Sequence, residues 1–172
     1  VLLGSGEHGI RITAATIGSI VDRGICDANN MGAAMAPAAA DTLLSLFRDT
    51  QTGPADYDAI VTGDLGQVGH DLLMQLMREQ RMPLIDEQYH DCGLLIFDRE
   101  QQDVHAGGSG CGCSAAVLNG YFLPKLQSGE LGRIIFMATG ALMSTTSSQQ
   151  GETIPGVAHA VVLESPQRGK KE

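Results

Sequence analysis

The stretch Ser109-Gly110-Cys111-Gly112-Cys113-Ser114-Ala115-Ala116 is a glycine-punctuated turn running straight into an apolar segment, and its reading decides the fold. Such a turn between a strand and a helix gathers backbone N–H groups and two thiols at the positive end of the helix, where a carboxylate or carbonyl-bearing ligand can sit. The same glycines would equally let a strand and a helix pack closely, so packing and binding both fit the residues alone.

Outward from the turn, apolar spacing separates helices from strands. Upstream, Val104–Gly107 reads as the strand that empties into the turn, and residues 91–98 suit either a buried strand or a short helical turn capped by Asp91, the helix being preferred. Downstream, Ala115, Ala116, Val117, Leu118, Tyr121, Phe122 and Leu123 lie on nearly every side of a helix, the pattern of a buried one. Further back, an alternating strand is predicted near 9–20, a loop over Asp27–Met35, a helix over 37–49 begun by Pro37, a buried strand ending at Thr62-Gly63-Asp64, and an amphipathic helix carrying Leu72, Leu73, Leu76 and Met77. Strands at Ile134–Ala138 and Val157–Leu163 follow, separated by an exposed, mobile polar loop at 144–153. The order β-α-β-α-β-α-β-β predicts an α/β fold with a mainly parallel sheet and an antiparallel edge.

Composition agrees with a layered fold and narrows the functions. The 172 residues are 43% hydrophobic but only 4% aromatic, with no Trp and 22 Gly, so packing must rely on close backbone approach. Twenty acidic residues against 11 basic ones give a net charge of −9, which argues against nucleic acid as a partner. No apolar run approaches the roughly 20 residues needed to cross a bilayer, so membrane association is expected to be peripheral. Cys26, Cys92, Cys111 and Cys113 lack paired Cys-x-x-Cys spacing and are read as free thiols, with no zinc site and no other metal site. The absence of a starting Met at Val1 suggests a piece of a longer chain.

Four spaced motifs give a resemblance. Met31-Gly32-Ala33-Ala34-Met35-Ala36-Pro37-Ala38-Ala39-Ala40-Asp41, Thr62-Gly63-Asp64, His90-Asp91-Cys92-Gly93 and Gly107-Gly108-Ser109-Gly110-Cys111-Gly112-Cys113-Ser114, in that order, closely resemble the stage V sporulation protein AD family of spore-forming Firmicutes. The resemblance implies one half of the duplicated thiolase fold, with residues 1–164 as the C-terminal half and 165–172 as a polar tail. It implies that 30–38 is the substrate loop, that Gly63 stands where ketoacyl synthases carry a catalytic His, and that Ser109 replaces the His of the thiolase Gly-His-Pro turn. The half bearing the thiolase nucleophilic Cys would be missing from this chain.

For function, the resemblance implies a thiolase-like component of a membrane-associated channel complex. It would move dipicolinic acid, with calcium as part of the ligand, into the developing spore and out at germination, from the cytoplasmic face of the forespore and spore inner membrane. The other channel subunits and the missing N-terminal half are the implied partners, and a homodimer is expected. Condensation needs a base and an oxyanion donor beside a thiolate, and a hydroxyl at 109 with no side chain at 63 supplies no base. No catalytic residue and no cofactor are therefore assigned. The expected ligand-binding set is Asp64, Ser109, Gly110, Cys111, Cys113, Ser114, Asp27, Asn30 and Met31. Asp64 suits ligand binding or helix capping equally, and Asp27, Asn29 and Asn30 suit turn chemistry more simply. The alternative function is an acyl-thioester-dependent acyltransferase or condensing enzyme of the same superfamily. His8, His70, His90, His105 and His159 match no catalytic position, and Arg168, Lys170 and Lys171 read as a solvated terminus.

Overall fold

A computed structural model describes residues 3–5 and 9–168 of the chain; His8, Lys170 and Lys171 lie outside them. Its strands are β1 (Arg11–Ile17), β2 (Ala59–Thr62), β3 (Tyr89–Asp91), β4 (Arg133–Ala141) and β5 (Gly156–Glu164). Its helices are α1 (Met31–Thr50), α2 (Gly66–Glu79), α3 (Cys92–Leu95), α4 (Cys111–Val117), α5 (Leu123–Ser128) and α6 (Thr145–Gln149), with a π-helical turn at Leu118–Phe122 joining α4 to α5. The strands form one sheet in the order β1-β5-β4-β2-β3. β2 pairs in parallel with β3 and β4, and β5 runs antiparallel to β4 and β1, so four strands share a direction and the antiparallel pairings gather at the β1 side.

Side-chain alternation divides the core between the two faces of the sheet. Ile60, Ile135, Met137, Ala158, Ala160 and Val162 face a cluster that includes Leu43, Leu46 and Phe47 of α1 and Leu73, Met74 and Met77 of α2. Ala59, Val61, Ile134 and Leu163 face Cys113, Val117, Phe122 and Leu126 of the α4–α5 segment. With so few aromatics, contact is made by small residues: Ala36, Ala38 and Ala39 of α1 are fully buried.

Several expectations are corrected. The predicted loop at Asp27–Met35 and the substrate loop at 30–38 are largely helix, because Asn30 caps α1 seven residues before Pro37 by accepting from the Ala33 amide at 3.4 Å. Pro37 is thus inside the helix rather than at its start. Val104–Gly107 is not a strand. His105 has φ of 46°, and the Ala106 carbonyl accepts from Gln67 N at 2.8 Å, so this backbone is tied to the start of α2 instead of to a neighbouring strand. The third strand is Tyr89–Asp91, too short for alternation to announce it. The helix expected to be buried all round leaves Ala115, Ala116 and Tyr121 exposed. The 144–153 loop contains α6, capped by Ser144, which accepts from the Ser147 amide at 3.0 Å.

One further expectation agrees and one departs. Asp91 caps the helical turn α3, accepting from Gly93 N at 3.0 Å. Of the expected tail, Ser165 is buried, its amide donating to Gly132 O at 2.9 Å, and the chain turns there through Arg168.

Candidate functional site

β2 and β4 run in parallel, so their C-terminal ends lie together, the end at which open α/β sheets assemble ligand sites. Thr62 ends β2, Gly63 and Asp64 follow it, and Thr139 stands near the end of β4. The glycine turn 107–110 closes over this edge, because Gly108 N donates to Gly93 O at 2.7 Å and Gly110 N donates to Asp64 Oδ2 at 2.6 Å.

Asp64 is the centre of the site. Ser109 Oγ donates to its Oδ2 at 3.2 Å and Thr139 Oγ1 donates to its Oδ1 at 2.9 Å, while the Asp64 amide donates to Thr139 Oγ1 at 3.2 Å. The residue entering α4, Gly110, has φ of 95°, a conformation open to glycine and costly for a side chain. The backbone at the start of α4 therefore already meets a carboxylate, the protein's own. Among the described residues no hydrogen bond takes up the amides of exposed Cys111 and Gly112, which leaves these two donors for a further anionic group.

The geometry at Gly63 decides what chemistry is open. A β-carbon on this residue would stand 2.8 Å from Ser114 Oγ, 3.0 Å from Thr139 Oγ1 and 3.4 Å from Thr139 N. A side chain there requires the Ser114 and Thr139 hydroxyls to shift. Ser109, at the other position where the resemblance implies an imidazole, is exposed and gives its hydroxyl proton to Asp64.

The two buried thiols are not poised for attack. Burial pushes Cys92 up to about 12, with the Asp91 charge adding to it, and burial likewise raises Cys113. A thiol so raised holds little thiolate at neutral pH. Cys111 is exposed at the first position of α4. Half-buried His90 is held below the usual imidazole range by burial and then by His70 and Lys125.

The expected site residues thus divide into two groups. Asp64, Ser109, Gly110, Cys111, Cys113 and Ser114 come together around the start of α4. Asp27 and Asn30 form the turn that begins α1: Asp27 Oδ1 accepts from Asn29 N at 2.9 Å, Asn30 N donates to Asp27 O at 3.0 Å, and Asn30 Oδ1 is the helix cap. Met31 packs against the α1 core. Thr139 and the buried Asp91 were not expected. Thr139 carried one usable signal, a hydroxyl near the C-terminal end of a predicted strand.

The sequence model of the family described as Stage V sporulation protein AD matches residues 1–164. The stage V sporulation protein AD of Bacillus subtilis (strain 168) is 47% identical over 164 residues, covering 95% of this chain and 48% of that protein. The chain spans about half the length of this curated relative. Among solved structures, a ketosynthase in complex with its chain length factor from Xenorhabdus doucetiae is 13% identical with a TM-score of 0.48, covering 92% of this chain and 79% of that one. MvaS in complex with 3-hydroxy-3-methylglutaryl coenzyme A is 14% identical with a TM-score of 0.47, covering 92% and 40%. The family match takes in β1 through β5 and every residue of the site around Asp64, and so this chain belongs to the stage V sporulation protein AD family, whose members act in sporulation.

Proposed function

We propose that this chain is the C-terminal half of a non-catalytic, thiolase-like subunit that binds dipicolinic acid with calcium. That subunit would work within the spore channel complex that loads the acid into the developing spore and releases it at germination. The observation that carries the reading is the absence of a side chain at Gly63, with the Ser114 and Thr139 hydroxyls crowding the position. Where a condensing enzyme needs an imidazole, Ser114 and Thr139 already fill the space, and Ser109 is too weak a base at neutral pH to replace it. Acyl transfer through this edge of the sheet has an imidazole at neither expected position, and the Asp64 carboxylate is already engaged by Ser109, Gly110 and Thr139, whereas binding needs only donors and charge.

Charge selects the form of the ligand. A free dicarboxylate entering the site meets the Asp64 carboxylate, but a calcium chelate brings a hard cation that takes oxygen ligands from Asp64 and the ligand together. The Ser109 and Ser114 hydroxyls and the Cys111 and Gly112 amides then face the ligand's own oxygens. Calcium is here part of the cargo; among the described residues no group of three or more His, Cys, Asp or Glu is placed to hold a metal alone.

The other half of the family-length polypeptide would cover the apolar face of this chain. An apolar groove of about 250 Å³ between α3 and α4, lined by Leu95, Ile96, Ala116, Val117, Gly120 and Tyr121, is the surface it would cover. Among the described residues no helix is long and apolar enough to cross a membrane, and the proposed attachment to the cytoplasmic face of the spore inner membrane runs through other channel subunits.

Calorimetric titration of the family-length polypeptide with dipicolinate, with and without calcium, tests this. Saturable binding, weakened by roughly tenfold or more on Ser109→Ala or Asp64→Asn, is expected, since a hydrogen bond to a charged group contributes about 1.5–3 kcal/mol. No heat of binding in either condition would remove the proposal.

A further inference from the structure

The two walls of the site are distant in the chain, yet one buried side chain joins them. Asp91, 1% exposed, accepts four hydrogen bonds: Thr62 Oγ1 at 2.7 Å and Leu65 N at 2.8 Å on Oδ2, Gly66 N at 3.1 Å and Gly93 N at 3.0 Å on Oδ1. Three of these donors flank Asp64 in sequence, on the corner between β2 and α2. The fourth, Gly93, uses its carbonyl to hold Gly108 N at 2.7 Å, two residues before Gly110, whose amide closes on Asp64 at 2.6 Å. The bonds form a closed circuit: the corner to Asp91, Asp91 to Gly93, Gly93 to Gly108, and the glycine turn back to Asp64.

We infer that Asp91 is the positioning residue of the ligand site, fixing the distance between the Asp64 corner and the glycine turn. It touches neither the ligand nor the exposed donors and acts through both walls. A lone cap for the four-residue α3 would need only the Gly93 bond; the three bonds to the corner serve no part of α3. A carboxylate is suited to this because its two oxygens accept from several donors at once. An asparagine has one acceptor oxygen, and its NH2 group would face donors, leaving at least one buried N–H group, that of Leu65 or those of Gly66 and Gly93, unpaired. Tyr89 OH, 3.1 Å from Thr62 Oγ1, continues the network into the core. This inference rests on the proposed ligand site, but its first readout does not depend on a ligand.

Amide hydrogen exchange and calcium dipicolinate binding are compared in the family-length polypeptide for wild type, Asp91→Asn and Thr62→Val. The expected result for Asp91→Asn is exchange faster by roughly tenfold or more at Leu65, Gly66, Gly93 and Gly108 and also at Gly110, which Asp91 does not touch. Ile135 and Val162 in the sheet should keep their protection, and affinity should fall by a similar factor. Thr62→Val, which removes one donor, shows the same pattern more weakly and serves if Asp91→Asn does not fold. Unchanged exchange at Gly110 overturns the inference, and so does loss of protection spread evenly through the sheet. Faster exchange with unaltered affinity in a wild type that binds also overturns it. If the wild type does not bind calcium dipicolinate, the proposed function falls, while the Gly110 amide still decides whether Asp91 couples the walls.

Discussion

At the residue scale, Gly63 is the position on which binding and catalysis part. Adding a single methyl group there sets it against Ser114 Oγ and Thr139 Oγ1. Gly63→Ala is expected to cost about 1–3 kcal/mol of stability by overpacking, measured by chemical denaturation. Adding Ser114→Ala, which removes the nearer oxygen, should recover part of that loss, a coupling that independent sites would not show. His90 gives a second expectation. Its depressed affinity for a proton in the fold means that the unfolded chain protonates first as pH falls. Its contribution to stability is therefore present above roughly pH 6.5 and is lost as pH falls through that value toward the folded-state pKa. Denaturation at about pH 7.5 and about pH 5.5 should show this acid loss in wild type and a smaller one in His90→Gln; equal losses would remove His90 as a source. The cluster of Asp64 with Ser109 through Ser114 was legible because a glycine turn before a helix and an Asp at a strand end are local patterns. Thr139 and the Asp91 circuit were not, because Thr139 meets Asp64 from 75 residues away and Asp91 meets Leu65 from 26, and no local spacing encodes such pairs.

At the element scale, α1 shows how tertiary contact overrides a local signal. Pro37 marks a helix start by its own preferences, yet α1 begins at Met31. Its first turn is held by the Asn30 cap and by the approach of Gly32 to α2, where a β-carbon would lie 2.4 Å from Leu65 O and 2.9 Å from Gly69 N. Both neighbours are backbone, so no rotamer change relieves the contact. Gly32→Ala should destabilise the protein at the upper end of the 1–3 kcal/mol range typical of overpacking or beyond it. It should also weaken ligand binding, because Leu65 adjoins Asp64. Thermal unfolding together with calorimetry would check both. The strands Ala59–Thr62, Arg133–Ala141 and Gly156–Glu164 were legible from apolar runs and alternation. Tyr89–Asp91 was not, since three residues carry no period, and Val104–Gly107 misled because an apolar residue before glycines looks like a strand end whatever its φ values.

For the whole molecule, the open question is what covers the side of α3 and α4 away from the sheet. Leu95, Phe97 and Tyr121 are 43%, 37% and 46% exposed beside exposed Ala115 and Ala116. A helix that is apolar on all sides is ordinarily covered on all sides. This chain produced separately should self-associate or lose solubility, and Tyr121→Lys should reduce that; light scattering showing a stable dilute monomer of the wild type would contradict it. The layered α/β architecture was legible because strand and helix periods alternate along the chain. The exposure of this helix was not, because an apolar surface reads alike whether its cover lies in the same stretch of sequence or beyond it. The central claim is that this scaffold binds an anionic chelate and performs no acyl transfer, and its most direct test is incubation of the family-length polypeptide with acyl-coenzyme A while following thiol release and intact mass. The account predicts no thiol release above background and no acyl adduct; sustained turnover that persists after further purification would contradict it.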